Sequence, residues 1–183
     1  PLLDEREWQQ AVHGWNDTWR DYPSRGKCLH ELFEAQVERT PAAVAAFVPP
    51  GNGLPAQSLT YAVLNARANQ VAHALRRAGV KTSELVGLHV RRSPEMLAGL
   101  LGILKAGAAY LTLDPDYPAE RLGFMVRDAG VRFLVTQAGA DLAGWSGEIE
   151  HLLQLAASDD ALAHEPTTNL EVSTSPGDLA YVI

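Results

Sequence analysis

At 183 residues, with 46% hydrophobic and 20% charged residues, the chain matches one globular unit that buries its core without staples. A net charge of -7 disfavours a general polyanion-binding role, and a single cysteine, Cys28, excludes an internal disulfide framework or cysteine zinc cluster. No apolar run approaches membrane-spanning length and no signal peptide precedes the first helix, so a cytoplasmic protein is expected. The chain starts on a proline and ends on the strand-like LAYVI, and a piece of something longer is expected.

Residues 1 to about 27 differ from the rest. They hold three of the four tryptophans, Trp8, Trp15 and Trp19. The run DEREWQQAVHGWNDT predicts a short helix, with Trp8, Val12 and Trp15 spaced to share a face. Two readings stay open: an arm that docks on a neighbouring surface, or a terminal helix that covers this domain's own core. Leu29–Thr40 is an amphipathic helix with Leu29, Leu32, Phe33 and Val37 on one side, ended by Thr40-Pro41. Val44–Val48 is a strand, PPGNGLP at 49–55 a turn, and Gln57–Leu59 a short return strand. Thr60 caps a helix to about Ala78, whose apolar stripe is Tyr61, Leu64, Ala68, Val71, Leu75 and Ala78. Arg67, Gln70, His73, Arg76 and Arg77 fall largely on the other, solvated side.

Leu85–Val90 is an apolar strand. Arg91-Arg92 then leads to a helix over Pro94–Ala106 that is apolar around most of its circumference and therefore buried. Ser93 suits its N-cap, Pro94 its first position and Gly107 its stop. Gly99 and Gly102, about one turn apart, admit a close neighbouring backbone. Lys105 fits the helix C-terminus, where the dipole favours its charge. Ala108–Leu113 is a buried strand broken by Asp114-Pro115 and Tyr117-Pro118. Pro118–Ala129 is a helix with Leu122, Met125, Val126 and Ala129 inward, and Val131–Thr136 a strand. Gln137–Asp160 is weakly patterned: it admits a helix, a strand near Ile149–Leu153, and Trp145 in a Gly-rich loop. His164–Pro176 reads as loop and Leu179–Ile183 as strand.

From Val44 onward, strands and helices alternate. The fold class is therefore α/β, a mostly parallel sheet flanked by helices, with any ligand expected at the carboxyl edge of the strands. Asp114, Asp116, Arg91 and Arg92 sit near that edge by position. Aspartate beside proline commonly starts a turn, which is the better account of Asp114 and Asp116, and the arginine pair reads as a surface turn. The histidines at 13, 30, 73, 89, 151 and 164 have no HxxxH or HExxH spacing; His89 lies within a strand and is expected to pack or bond there. Gly51 and Gly53 are followed by no phosphate-loop helix, and there is no GxSxG, CxxC or Walker sequence. Residue chemistry alone assigns no catalytic, cofactor-binding or metal-binding residue.

LTYAVL at Leu59–Leu64 resembles the first core motif of nonribosomal peptide synthetase adenylation domains, L-(T/S)-Y-x-E-L. LKAGAAYLTLDPDYPAERL at Leu104–Leu122 resembles the second, LKAGxAYxPxDPxYPxERL, nearly position by position. DLAYVI at Asp178–Ile183 resembles the lead-in to the third, and LHELFEAQVERTP at Leu29–Pro41 is also similar to these enzymes. WNDT at Trp15–Thr18 resembles the linker that joins an upstream condensation domain to the adenylation domain. Two positions depart from the motifs: Val63 replaces a glutamate that would complete a capping box, and Thr112 replaces a proline. Both touch structure and neither touches chemistry.

The resemblance implies an interdomain linker arm over 1–27, followed over 28–183 by the N-terminal part of the large subdomain of an adenylate-forming enzyme. It implies a parent that uses ATP and Mg2+ to activate an amino acid as aminoacyl-AMP, then loads it onto a carrier-protein phosphopantetheine thiol. The implied partners are a condensation domain upstream, and the remainder of the adenylation domain and a carrier domain downstream. The family's phosphate loop and its substrate-, ribose- and catalysis-linked residues fall after Ile183, so the resemblance assigns no site residue or cofactor here. The segment alone is expected to be inactive and to self-associate through exposed apolar surface. A rival reading is a non-catalytic scaffold contacting a condensation domain or the remainder of the adenylation domain. An acyl-CoA synthetase of the same superfamily fits the motifs less well.

Overall fold

Alternating apolar residues on short strands bury both faces of a sheet, and here the two faces divide the core in two. The computed structural model describes residues 2–50, 56–155 and 162–183. Five parallel strands, β3 (Leu85–His89), β4 (Ala109–Thr112), β5 (Phe133–Gln137), β6 (His151–Leu155) and β7 (Tyr181–Val182), lie in the order β6-β5-β3-β4-β7. On one face Val86, Leu88, Phe133 and Val135 meet the helices α3 (Tyr61–Arg77) and α4 (Pro94–Lys105) through Val71, Leu75 and Ile103. On the other, Leu111, Leu113 and Leu134 meet α5 (Ala119–Asp128) through Leu122 and Val126, with Trp145 beside them. These buried side chains supply the main stabilisation, about 1.5–3 kcal/mol for each large aliphatic.

The helix ends follow the sequence signals. The hydroxyl of Thr60 accepts from the backbone N–H of Val63, and that of Ser93 from Met96, with Pro94 in the first turn. Gly107, which follows α4, has φ +79° and turns the chain directly into β4. Gly99 and Gly102 hold α4 against two neighbours. A Cβ on Gly99 would press on Leu88, Leu155 and Val135 of the sheet, while one on Gly102 would collide with Val71 of α3.

Three local expectations change. Val44–Val48 (β1) pairs antiparallel with Gln57–Thr60 (β2) in a separate two-stranded ribbon, outside the parallel sheet. Its exposed Val44 and Phe47 show why a short apolar run does not by itself place a strand in a central sheet. No helix forms between Gln137 and Glu150, where Gly139 and Gly144 take positive φ and the Asp141 carboxylate binds the Ala143 N–H in a turn. The following strand starts two residues later than expected, at His151. The rest of that weakly patterned stretch, 156–160, and the glycines of the 49–55 turn lie outside the described residues.

The arm forms a short helix, α1 (Glu5–Gln9), continued by a π turn over Gln10–Gly14. Asp4 and Glu7 make a reciprocal capping box at its start. No residue from Glu5 to Gly14 is buried, and Trp15 and Trp19 are each 71% exposed. The reading in which this helix covers the domain's own core is therefore not the arrangement found. The helix α2 (Leu29–Arg39) joins the body through Phe33, whose ring lies 5.8 Å from that of Tyr61.

Candidate functional site

The carboxyl ends of β3, β4 and β5 converge, as a parallel sheet requires, and bring together residues distant in sequence. Arg91 follows β3, Asp114 and Asp116 follow β4, and Gln137 ends β5. The Arg91 guanidinium donates to Asp116 Oδ1 at 2.9 Å, and the Arg91 backbone N–H donates to Gln137 Oε1 at 2.8 Å. Asp114 uses Oδ1 to accept the Asp116 N–H at 2.9 Å and its carbonyl to accept the Tyr117 N–H at 3.0 Å. Arg121 then stacks on the Tyr117 ring, 3.9 Å from its centroid. The DPDYP run is thus a pinned turn, and its two acids are engaged in making it. Beside it an open cleft of about 490 Å³ is lined by Arg91, Arg92, Met96, Thr112, Asp114 and Asp116.

Under the edge lies His89, 3% exposed. Its Nδ1 faces the Leu113 carbonyl at 3.0 Å; a carbonyl only accepts, so Nδ1 carries the proton. Its ring meets Trp145 edge to face with centroids 4.8 Å apart, and its own carbonyl accepts from the Thr136 hydroxyl at 2.9 Å. Burial pushes the imidazole below its ordinary value of 6.5, partly offset by the bond to Leu113. This neutral histidine ties three strand ends together.

The largest surprise is at the other end of the molecule. Lys105, which the sequence places at a helix end for its dipole, is 2% exposed. Its ammonium pairs with Glu34 of α2 and donates to Asn169 Oδ1 at 3.2 Å. Burial lowers its pKa, opposed by the bond and charge of Glu34. His73, expected in solvent, instead donates from Nε2 to the Thr168 carbonyl at 3.0 Å. Two signals in the sequence point here: a lysine inside the apolar run LLGILKAGAA, and the pair Asn65 and Asn69, one turn apart beside the apolar stripe of α3.

Among the described residues no group of three or more histidine, cysteine, aspartate or glutamate side chains fits a metal ion, Mg2+ included. Also among them, no helix is long and apolar enough to cross a membrane. What this arrangement does is fasten a sheet edge: a pinned acidic turn with an open cleft beside it, and a neutral histidine peg beneath.

The family model for AMP-binding enzymes matches residues 33–183. A linear gramicidin synthase polypeptide from Brevibacillus parabrevis is 46% identical over 100% of this chain, which covers 2% of that protein. Gramicidin S synthase 2 from Brevibacillus brevis is 44% identical, again over 100% of this chain, and 4% of it is covered. The crystal structure of the nonribosomal peptide synthetase FmoA3 in its AMPPNP-bound form superposes with a TM-score of 0.77 at 32% identity, covering 96% of this chain and 17% of that one. The chain therefore spans a small fraction of the relatives it matches. With its parallel sheet and its LKAGAAYLTLDPDYP helix, strand and turn, it belongs to the AMP-binding enzyme family, as the N-terminal portion of a nonribosomal peptide synthetase adenylation domain.

Proposed function

We propose that this chain is the structural foundation of an enzyme that activates an amino acid with ATP, giving aminoacyl-AMP and pyrophosphate, and passes the aminoacyl group to a carrier-domain phosphopantetheine thiol. The observation that carries the reading is the motif at Leu104–Leu122. It builds α4, β4 and the pinned turn at the centre of the sheet, in a chain 46% identical to a gramicidin synthase. The role of these residues is to set the sheet edge; ATP, Mg2+ and amino acid are held by parts of the enzyme beyond this segment. Residues 1–27 are the linker to a condensation domain, a role suited to their exposed tryptophans. The enzyme works in the cytoplasm. The test is amino-acid-dependent ATP–pyrophosphate exchange. The longer polypeptide that carries this segment exchanges and the purified 183-residue chain does not; exchange by the chain alone overturns the division of labour.

A further inference from the structure

The segment from Leu162 to Ala180 runs back along α3 before it enters β7, and it is fastened at successive points. Buried Glu165 pairs with Arg77 near the end of α3. The Thr168 carbonyl accepts from His73, and the Thr167 carbonyl accepts from Asn69 Nδ2 at 2.6 Å. The Asn169 side chain comes next, and its single oxygen takes three donors: Asn65 Nδ2 at 3.0 Å, Asn69 Nδ2 at 3.0 Å and Lys105 Nζ at 3.2 Å. Val172 then packs at Gly107, where a Cβ would stand 2.7 Å from its methyl group. Finally the Ala180 carbonyl accepts the Tyr110 N–H at 3.1 Å, and the strap becomes β7.

Lys105 sets the orientation of Asn169 and through it that of Asn65, while Asn69 is oriented by the Thr167 carbonyl as well. An ammonium group only donates, so Asn169 must turn its oxygen to Lys105. That choice forces Asn65 and Asn69 to present their NH2 groups to the same oxygen. Their own oxygens are then turned away, and both are buried without a partner among the described residues. Two such acceptors are a cost that a freely chosen amide arrangement avoids. A fixed cation at the centre accounts for it at Asn65, and together with the Thr167 carbonyl at Asn69; Glu34 holds that cation in place.

We propose that Lys105 is a positioning residue which acts through Asn169 to latch the 162–180 strap onto α3 and so keeps β7 in the sheet beside β4. The inference is independent of the adenylation reading. It is tested on the 183-residue chain by hydrogen exchange at the Tyr110 amide and by glutamyl-endopeptidase cleavage at exposed Glu171, with the Leu134 amide of the central sheet as internal control. Asn169→Ala speeds both by about tenfold, as local opening of a fastened segment does, while Leu134 is unmoved. Asn169→Asp keeps an acceptor for all three donors and stays at the wild-type rates. Lys105→Met also speeds both, and adding it to Asn169→Ala gives no further increase, because the two act through one bond. Wild-type rates in Asn169→Ala, or Asn169→Asp as fast as Asn169→Ala, overturn the latch. Additive effects in the double variant overturn the action of Lys105 through Asn169. If Lys105→Met fails to fold, the two Asn169 variants, whose side chain lies at the exposed surface, decide the latch, and Glu34→Gln, which loosens the hold on the Lys105 ammonium, takes the place of Lys105→Met in the double variant.

Discussion

Gly102 of α4 and Val71 of α3 touch where two helices cross: a Cβ placed on Gly102 would lie 2.5 Å from the Cβ of Val71 and 2.9 Å from the Ala68 carbonyl oxygen. Backbone and β-branched side chain cannot yield there as a flexible tip would. Gly102→Ala is therefore expected to force the helices apart and cost about 3 kcal/mol, the upper part of the range for overpacking. Urea denaturation of the variant checks this. Gly130→Ala is the companion measurement, since it meets no atom within 4 Å but sits at φ +62°, a purely conformational cost near 1 kcal/mol.

Acid should weaken the fold through two histidines withdrawn from solvent, His89 fully and His30 in part. Burial lowers both His30 and His89 below the imidazole value of 6.5, so the folded chain holds fewer protons than the unfolded chain in the interval between the two values. Their contribution is complete above 6.5 and is lost as pH falls through the folded values. Thermal melts across that window should fall as pH drops, and His89→Asn, which keeps a side-chain donor for Leu113, should flatten the slope. An unchanged slope in that variant removes His89 from the account.

Trp145 presents its ring edge-on to His89 and donates from Nε1 to the Asp141 carbonyl at 3.3 Å, while 5% exposed in the core beside α5. Trp145→Ala is expected to cost about 4 kcal/mol, as for other large aromatics removed from a core. Chemical denaturation measures it directly.

The Arg91–Asp116 pair makes the opposite expectation. Its side chains are 61% and 74% exposed, so solvent screens it and Arg91→Ala should cost less than about 1 kcal/mol. Under the adenylation reading neither acid of the turn does chemistry. Asp116→Asn in the longer enzyme should leave pyrophosphate exchange within about twofold, a change of under 0.5 kcal/mol in barrier. A loss of several orders of magnitude would make Asp116 a catalytic group.

Much of the sheet is legible in the sequence because its determinants are local. Ser93, Pro94 and Gly107 bracket α4, and the apolar runs at 85–90 and 108–113 mark buried parallel strands. The pinned acidic turn is readable for the same reason, since Asp114 bonds two residues ahead. The antiparallel pairing of β1 and β2 is readable too, but their place outside the parallel sheet is not, because sheet membership is set by tertiary packing and not by a five-residue run. Lys105 misleads because a helix end explains a lysine without reference to anything distant. Its partners stand 71 and 64 residues away, and only the fold brings Glu34 and Asn169 to it. Trp145 falls in its loop as expected, but its seat against His89 follows from strand order alone.

The most direct measurement of the central claim is the intact mass of the phosphopantetheinylated carrier domain after the longer polypeptide is incubated with ATP and a panel of amino acids. The expected result is an ATP-dependent gain of one aminoacyl group from one or a few closely related amino acids. No gain from any amino acid, or a gain only when fatty acids are supplied, would contradict it.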